Sequence, residues 1–167
     1  AIDFDVAVFT NLTHDHLDYH GTMEKYFLAK KKLFDHLKPD AIAITNVDDP
    51  YGMRIVKDCP ARVITYGVNH KADYQVTKYQ LLADKTRITL KIGDMEYEIE
   101  TNLVAKFNVY NLVAAIAACH SKGISIEMML PQIRHLKQIE GRMERIDEGQ
   151  PFNIIVDFAH TPDGIEQ

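Results

Sequence analysis

A short polar segment of the sequence concentrates side chains that bind divalent cations. Residues 13–20 read THDHLDYH and contain three histidines and two aspartates. Imidazole and carboxylate groups together suit a divalent metal, so the segment predicts a metal site. For each histidine taken singly, a loop residue bonded to the backbone is an equally good interpretation.

The following segment predicts an amphipathic helix that carries a lysine among its apolar side chains. Over residues 23–37 the apolar positions recur at helical spacing, at Met23, Tyr26, Phe27, Leu33, Phe34 and Leu37. Lys30 lies seven residues after Met23 and three after Phe27, which places it on the same stripe. Lys25, Lys31, Lys32 and Asp35 are assigned to the solvated face.

We therefore expect the stem of Lys30 to be buried and its amine to point toward the sheet. One interpretation is that the side chain extends along the helix edge to reach water. The other is that burial favours the neutral amine. A neutral amine can react with carbon dioxide to give a carbamate, which is a carboxylate-like metal ligand.

The elements around these residues alternate between strand and helix. Apolar runs at 6–11, 41–45 and 61–66 predict buried strands, and helices are predicted at 23–37 and 51–58. This alternation is typical of a parallel sheet. The histidine-rich loop follows the end of the first strand. In such a sheet, ligands bind at the edge formed by the carboxyl ends of the strands.

The pattern changes after residue 70. Period-two alternation predicts strands at 74–80, 86–92 and 95–101, the last two joined by a Gly93-Asp94 turn. Two helices, at about 108–122 and 125–136, and a strand at 152–158 follow. The predicted fold class is α/β, with a Rossmann-like, mostly parallel sheet, flanking helices and a small antiparallel β subsheet.

Composition narrows the functional classes. The net charge of −5 argues against a nucleic-acid-binding domain, which usually has a basic face. No stretch approaches the roughly 18 apolar residues of a membrane span, so no membrane partner is expected. Two cysteines are too few for a disulfide framework, and we expect a cytoplasmic protein.

Six motifs, in order along nearly the whole chain, resemble those of Mur ligases. Residues 10–21 match T-N-L-x-x-D-H-L-D-x-H-G at every fixed position. The others are M-E-x-Y…A-K at 23–30, N-x-D-D at 46–49, F-N-x-x-N at 107–111, G-R-M-E at 141–144 and D-Y-A-H-T-P-D at 157–163. The chain departs from the family pattern at Ala105, where a glycine is usual, and at Phe158, where a tyrosine is usual.

Other classes compete for parts of this pattern. The T-H-x-H-x-D-H motif of metallo-β-lactamase-fold zinc hydrolases matches at Thr13, His14, His16 and Asp18, but Tyr19 replaces its last histidine. That alternative would need zinc at His14, His16 and a later histidine such as His70. Folylpolyglutamate-type ligases share the Mur architecture, although the H-T-P-D ending argues against them. A non-catalytic nucleotide-binding module would leave Lys30 unmodified.

The Mur resemblance implies an ATP-dependent acid–amino-acid ligase that uses Mg²⁺. A substrate carboxylate would be phosphorylated by ATP, and an amine would attack the resulting acyl phosphate to form an amide. Within the family, the H-T-P-D ending and the segment around Met23 are most similar to the ligases that add the third residue of the peptidoglycan peptide. The implied substrates are UDP-MurNAc-L-Ala-D-Glu and either meso-diaminopimelate or L-lysine.

The resemblance also implies roles for individual residues. His16 and a carbamylated Lys30 would be the catalytic, magnesium-binding pair. Phe107, Asn108 and Asn111 would contact the adenine. The remaining candidates for the ATP site are Arg142 at the phosphates, Asp157 at the ribose, and His160 and Thr161 at the nucleotide edge.

The chain has no G-x-x-G-K-[ST] phosphate loop. By resemblance, residues 1–160 would be an N-terminally truncated Mur central domain, and residues 161–167 would begin the linker to a C-terminal domain. The missing N- and C-terminal domains of the same chain would be its partners in a monomeric enzyme. We therefore expect this chain alone to be inactive and to bind ATP weakly.

Overall fold

A computed structural model describes residues 2–146, 148–152, 154–160 and 164–165. Its main feature is one six-stranded sheet in the order β1-β2-β3-β4-β5-β6. The strands are β1 (Val6–Phe9), β2 (Ile42–Asn46), β3 (Arg62–Gly67), β4 (Tyr74–Leu81), β5 (Thr86–Ile92) and β6 (Met95–Thr101). The pairings from β1 to β4 are parallel, and those of β4 with β5 and β5 with β6 are antiparallel.

Helices cover both faces of this sheet. They are α1 (Leu17–His20), α2 (Met23–Asp35), α3 (Gly52–Ile55), α4 (Lys106–Ser121) and α5 (Ile126–Arg134). In β2, Ile44 joins the apolar cluster under α4 and α5, whereas Ala43 joins the one under α2 and α3. Because successive strand residues face opposite sides, a strand buried on both faces is apolar throughout, which is why its sequence run is continuous.

The predicted fold class is confirmed, with one addition. The antiparallel strands do not form a detached subsheet. They continue the parallel sheet, because Tyr66 and Gly67 at the end of β3 pair with Tyr74 and Gln75 at the start of β4. No helix in the described part of the chain is long and apolar enough to cross a membrane.

A separate two-stranded antiparallel ribbon follows α5. It consists of β7 (Glu144–Ile146) and β8 (Ile154–Val156), whose side chains are half-buried or exposed. The strand predicted at 152–158 thus exists in shorter form, but its partner is β7, which the sequence patterns did not predict. Three residues with weak alternation carry too little periodic signal to be recognised as a strand.

The prediction that Lys30 is buried is wrong. Lys30 is exposed, and the neighbouring Lys31 is buried, with 9% of its surface accessible. The buried line of α2 runs through Phe27, Lys31 and Phe34. The sequence-based stripe also included Leu33, which is exposed, and that residue moved its predicted centre toward Lys30.

Lys31 tolerates burial because two carboxylates neutralise it. Its amine pairs with Asp35, one helical turn later, and lies 3.0 Å from Asp58, which follows α3. The hydrogen bond that Lys31 donates to Asp35 raises the pKa of Lys31 above its usual value, and with the bond to Asp58 it outweighs the opposing effect of desolvation. The ion pairs also hold α2 against the segment after α3.

We predict that Lys31→Ala lowers the free energy of unfolding by about 1–2 kcal/mol, because it removes a packed stem and its ion pairs. Lys32→Ala, at an exposed position of the same helix, is the matched control and should change it by less than about 0.5 kcal/mol. Urea denaturation at pH 7 measures both. Equal effects of the two substitutions would contradict the assignment.

Candidate functional site

The ends of β1 and β2 are joined at the carboxyl edge of the parallel sheet. The Asn46 side-chain amide donates to the carbonyl of Thr10 at 2.8 Å, and the Asp49 carboxylate accepts from the backbone N–H of Leu12 at 3.0 Å. These bonds fix the start of the histidine-rich loop relative to β2. α3 packs close behind, since a Cβ on Gly52 would lie 1.8 Å from the carbonyl oxygen of Asn46.

Asp48 joins the loop after β3 to α4. Its carboxylate accepts backbone N–H groups of Val68 at 2.6 Å, Asn69 at 2.9 Å and His70 at 2.9 Å. It also binds the imidazole of His70 at 2.8 Å and accepts from the hydroxyl of Tyr110, on α4, at 2.9 Å. A carboxylate with this many donors fixes three segments relative to one another.

These bonds determine the charge state of Asp48. Only 6% of its side chain is accessible, and that burial by itself raises the pKa. The bonds from Asn69, Val68, His70 and Tyr110 outweigh it and lower the pKa to about 2. Tyr110 shows the converse effect, because burial and its bond to the anionic Asp48 raise the pKa of its hydroxyl.

His16 and Lys30 both lie against the ring of Tyr26. The Lys30 amine lies 5.0 Å from the centroid of that ring, and the His16 ring packs edge-on at 6.0 Å. His20 stacks on the same tyrosine at 4.8 Å. We call His16, His20, Tyr26 and Lys30 the Tyr26 cluster. His16 and Lys30, which the sequence predicts as a pair, thus share Tyr26 as a neighbour at an exposed surface.

Local structure sets the direction of His16. It is the residue before α1, in the left-handed region at φ 52°, and its backbone N–H donates to the Asp15 carboxylate at 2.8 Å. The Tyr26 side of the cluster is set by α2, which begins after Thr22, whose hydroxyl accepts from the N–H of Lys25 at 3.2 Å. This is an ordinary N-cap.

The Tyr26 cluster offers few preformed metal ligands. Among the described residues, no three His, Cys, Asp or Glu side chains converge as a ready metal cage. Mg²⁺ keeps several waters and is usually bound by one or two protein groups together with substrate phosphates. His16 and a carboxylate formed on Lys30 would supply two such groups.

The first turns of α4 carry the candidate adenine residues. Asn108 is buried, and its amide donates to the carbonyl of Val104 at 2.7 Å. Its oxygen accepts from Asn111 at 3.4 Å, and Asn111 itself is exposed. Phe107 is half-buried in the first turn. Asn108 therefore supports this turn from inside, while Asn111 faces outward.

The third group of candidates lies around the β7–β8 ribbon. The Asp157 carboxylate accepts from the N–H of Met143 and from that of Ala159, both at 2.7 Å. The Arg142 guanidinium lies 5.5 Å from the ring of Phe158, and the His160 ring lies 5.2 Å from it. Arg142, Asp157 and His160 are thus brought together, whereas Thr161 lies outside the described residues.

Sequence reasoning named most of these residues but missed two that organise the site. Asp48 lay within the N-x-D-D match and Tyr110 within F-N-x-x-N, and neither was given a role. Nothing in residue type or spacing shows that a carboxylate will accept five hydrogen bonds. The only available signal was an aspartate directly after a buried strand.

Comparison with known proteins identifies the family. Residues 1–119 match the model of the Mur ligase middle domain. The chain is 44% identical over 170 residues to the UDP-N-acetylmuramoyl-L-alanyl-D-glutamate–2,6-diaminopimelate ligase of Geobacillus kaustophilus, with 98% of this chain and 35% of that protein aligned. It is 38% identical over 171 residues to the corresponding L-lysine ligase of Staphylococcus haemolyticus, aligning 100% of this chain and 35% of that protein.

Solved structures agree with this. A 2,6-diaminopimelate ligase of the same type has a TM-score of 0.81 at 31% identity, over 98% of this chain and 34% of that chain. MurF ligase from Thermotoga maritima in complex with ADP has a TM-score of 0.84 at 21% identity, over 97% of this chain and 37% of that chain, and shows the shared fold. The chain belongs to the Mur ligase family, through its middle domain. It spans about a third of the length of the curated relatives it matches.

The zinc-hydrolase alternative is therefore wrong. The fold is that of Mur ligases, and the partial T-H-x-H-x-D-H match does not extend beyond one loop. His70, which was one possible third ligand in that alternative, is bound through its Nδ1 to Asp48.

Ala105 is strained at the start of α4. It adopts φ 75° and ψ 151°, a region occupied almost only by glycine, at the position where the family usually has one. We predict that Ala105→Gly raises the free energy of unfolding by about 1 kcal/mol. Ala115→Gly, at an exposed position inside the same helix, should lower it by about 1 kcal/mol. Thermal unfolding measures both changes in the free energy of unfolding, which should have opposite signs.

Asp48 should make stability depend on acid pH. Its pKa falls from 3.8 to about 2 on folding, so its contribution is present above pH 4 and is lost as the pH falls through 2. The loss is about 2 kcal/mol. We predict that Asp48→Asn flattens the decline in unfolding free energy between pH 5 and 2 by that amount. Asp84→Asn, in an exposed turn, should leave the decline as in the wild type.

Proposed function

We propose that this chain is the central, ATP-binding part of a longer ligase that adds the third amino acid to UDP-MurNAc-L-Ala-D-Glu in peptidoglycan synthesis. The observation that carries the proposal is the alignment of at least 98% of the chain with ligases named for that step. The added residue is meso-diaminopimelate or L-lysine, the two specificities among these relatives.

The reaction forms an amide at the expense of ATP. The D-glutamate carboxylate attacks the γ-phosphorus, so that ADP leaves and an acyl phosphate forms. The amine of the incoming amino acid then attacks the acyl carbon, which releases phosphate and a proton. A bound Mg²⁺ supplies charge neutralisation between the anionic carboxylate and the triphosphate.

His16 and Lys30 would hold that ion. The support is their shared contact with Tyr26 at the carboxyl edge of the sheet. The Lys30 amine becomes a ligand only after modification: the neutral amine takes up carbon dioxide and releases a proton, giving a carbamate.

The other residues would bind the nucleotide. Asn111 faces outward from α4 and would hydrogen-bond the adenine, with Asn108 supporting it from inside and Phe107 alongside the ring. Arg142 would contact phosphate oxygens by a bidentate pair. Asp157 retains acceptor capacity for a ribose hydroxyl after its two backbone bonds, and His160 and Thr161 would line the same edge.

The state of the cysteines bears on the cellular compartment of the enzyme. Both cysteines, Cys59 and Cys119, are unpaired, which suits a reducing compartment. We propose a cytoplasmic monomer whose remaining domains come from the same chain. No nucleic acid or membrane partner is part of the proposal.

We predict that Lys30→Ala in the complete ligase reduces ATP-dependent amide formation by at least about 100-fold, because a magnesium ligand is lost. Lys32→Ala, which is exposed on the same helix, is the control and should retain full activity. Added formate should partly restore the Lys30→Ala variant, since it supplies a carboxylate in place of the carbamate. Phosphate release with the dipeptide substrate and either diamino acid measures the rates.

Full activity of the Lys30→Ala variant would contradict the role assigned to Lys30. Absence of amide formation by the wild-type complete ligase with both amino acids would sink the proposed function itself.

A further inference from the structure

Two hydrogen bonds of tyrosine hydroxyls attach α4 to neighbouring elements, one near each end of the helix. Tyr110, in the second turn, donates to the Asp48 carboxylate at 2.9 Å. Tyr74, on β4, pairs with Nδ1 of His120 in the last turn at 2.8 Å. The two bonds are alike in length and in environment, since both are partly buried, but only the first lies near the candidate adenine residues.

The bond to Asp48 connects α4 with the loop after β3. The same carboxylate accepts from Val68, Asn69 and His70, and the side chain of Asn69 donates to the Tyr110 hydroxyl at 3.4 Å. A hydrogen bond to an ionised, desolvated carboxylate is stronger than one between neutral groups. The Tyr110 end of α4 is thereby tied to three consecutive backbone amides of that loop.

This bond adds to the restraints at the start of α4, where the buried Asn108 donates to the carbonyl of Val104. The helix begins after the strained Ala105, and no side chain caps it. Phe107 and Asn111 lie within one turn of Tyr110, so a rotation or shift of the helix at Tyr110 displaces both.

We propose that Asp48, acting through Tyr110, is a positioning residue for the nucleotide-facing side chains of α4. The pair does not touch the reacting atoms. It holds Asn111 and Phe107 where they meet the adenine, and therefore sets ATP affinity rather than the rate of the chemical step. This inference rests on the proposed function, in which the α4 residues bind ATP.

The test compares Tyr110→Phe with Tyr74→Phe in the complete ligase. Each variant removes one hydroxyl bond from one end of α4, and Tyr110→Phe should lose more stability because its bond is made to a carboxylate. Tyr110→Phe should raise the KM for ATP about fivefold, with kcat and the KM for the UDP-linked dipeptide unchanged, the pattern of lost uniform binding. Tyr74→Phe should leave all three values at wild-type levels.

Amide hydrogen exchange, measured on the complete ligase without nucleotide, supplies a second readout. Tyr110→Phe should speed exchange in the first half of α4, and Tyr74→Phe in its last turn. An unchanged KM for ATP in Tyr110→Phe, or an equal rise in both variants, would overturn the inference. Failure of the wild-type ligase to use ATP would instead overturn the proposed function, and the exchange result is independent of it.

Discussion

Parallel pairing of β1 with β2 and of β2 with β3 forces the loops that follow these strands to the same edge of the sheet. The position of His16 depends on that constraint, as do those of Asp48 and Asp49. The loop after β1 carries His16, and the segment after β2 carries Asp48 and Asp49. Parallel pairing thus brings loops that lie more than thirty positions apart in the sequence to one edge.

Hydrogen bonds of polar side chains then fix the neighbouring loops relative to one another. Asn46 and Asp49 hold the loop after β1, while Asp48 holds the loop after β3 and, through Tyr110, the start of α4. The bonds of Asn46, Leu12, Val68 and Tyr110 among these are partly buried, and there the desolvation cost of a carboxylate is offset by several donors. The low pKa of Asp48 shows that its hydrogen-bond donors outweigh the effect of burial.

Much of the fold was predictable because its signals are local. The apolar run in β2 and the alternation in β5 and β6 each reflect burial of one or both strand faces. The burial of Lys31 in place of Lys30 was missed because Leu33 moved the predicted stripe, and because one partner of Lys31, Asp58, reaches the helix only through tertiary packing. Asp48 was missed for this last reason. The motif residues His16 and Lys30 were found by resemblance, and the structure adds Tyr26 as their common neighbour.

The central claim is that the Tyr26 cluster binds the magnesium of a Mg·ATP complex at this edge. A crystal structure of the complete ligase with a non-hydrolysable ATP analogue and Mg²⁺ tests it most directly. The account predicts a magnesium ion coordinated by His16 and by a carbamate on Lys30, with the adenine against Asn111. An unmodified Lys30 amine still lying over Tyr26, with the ion bound elsewhere, would contradict it.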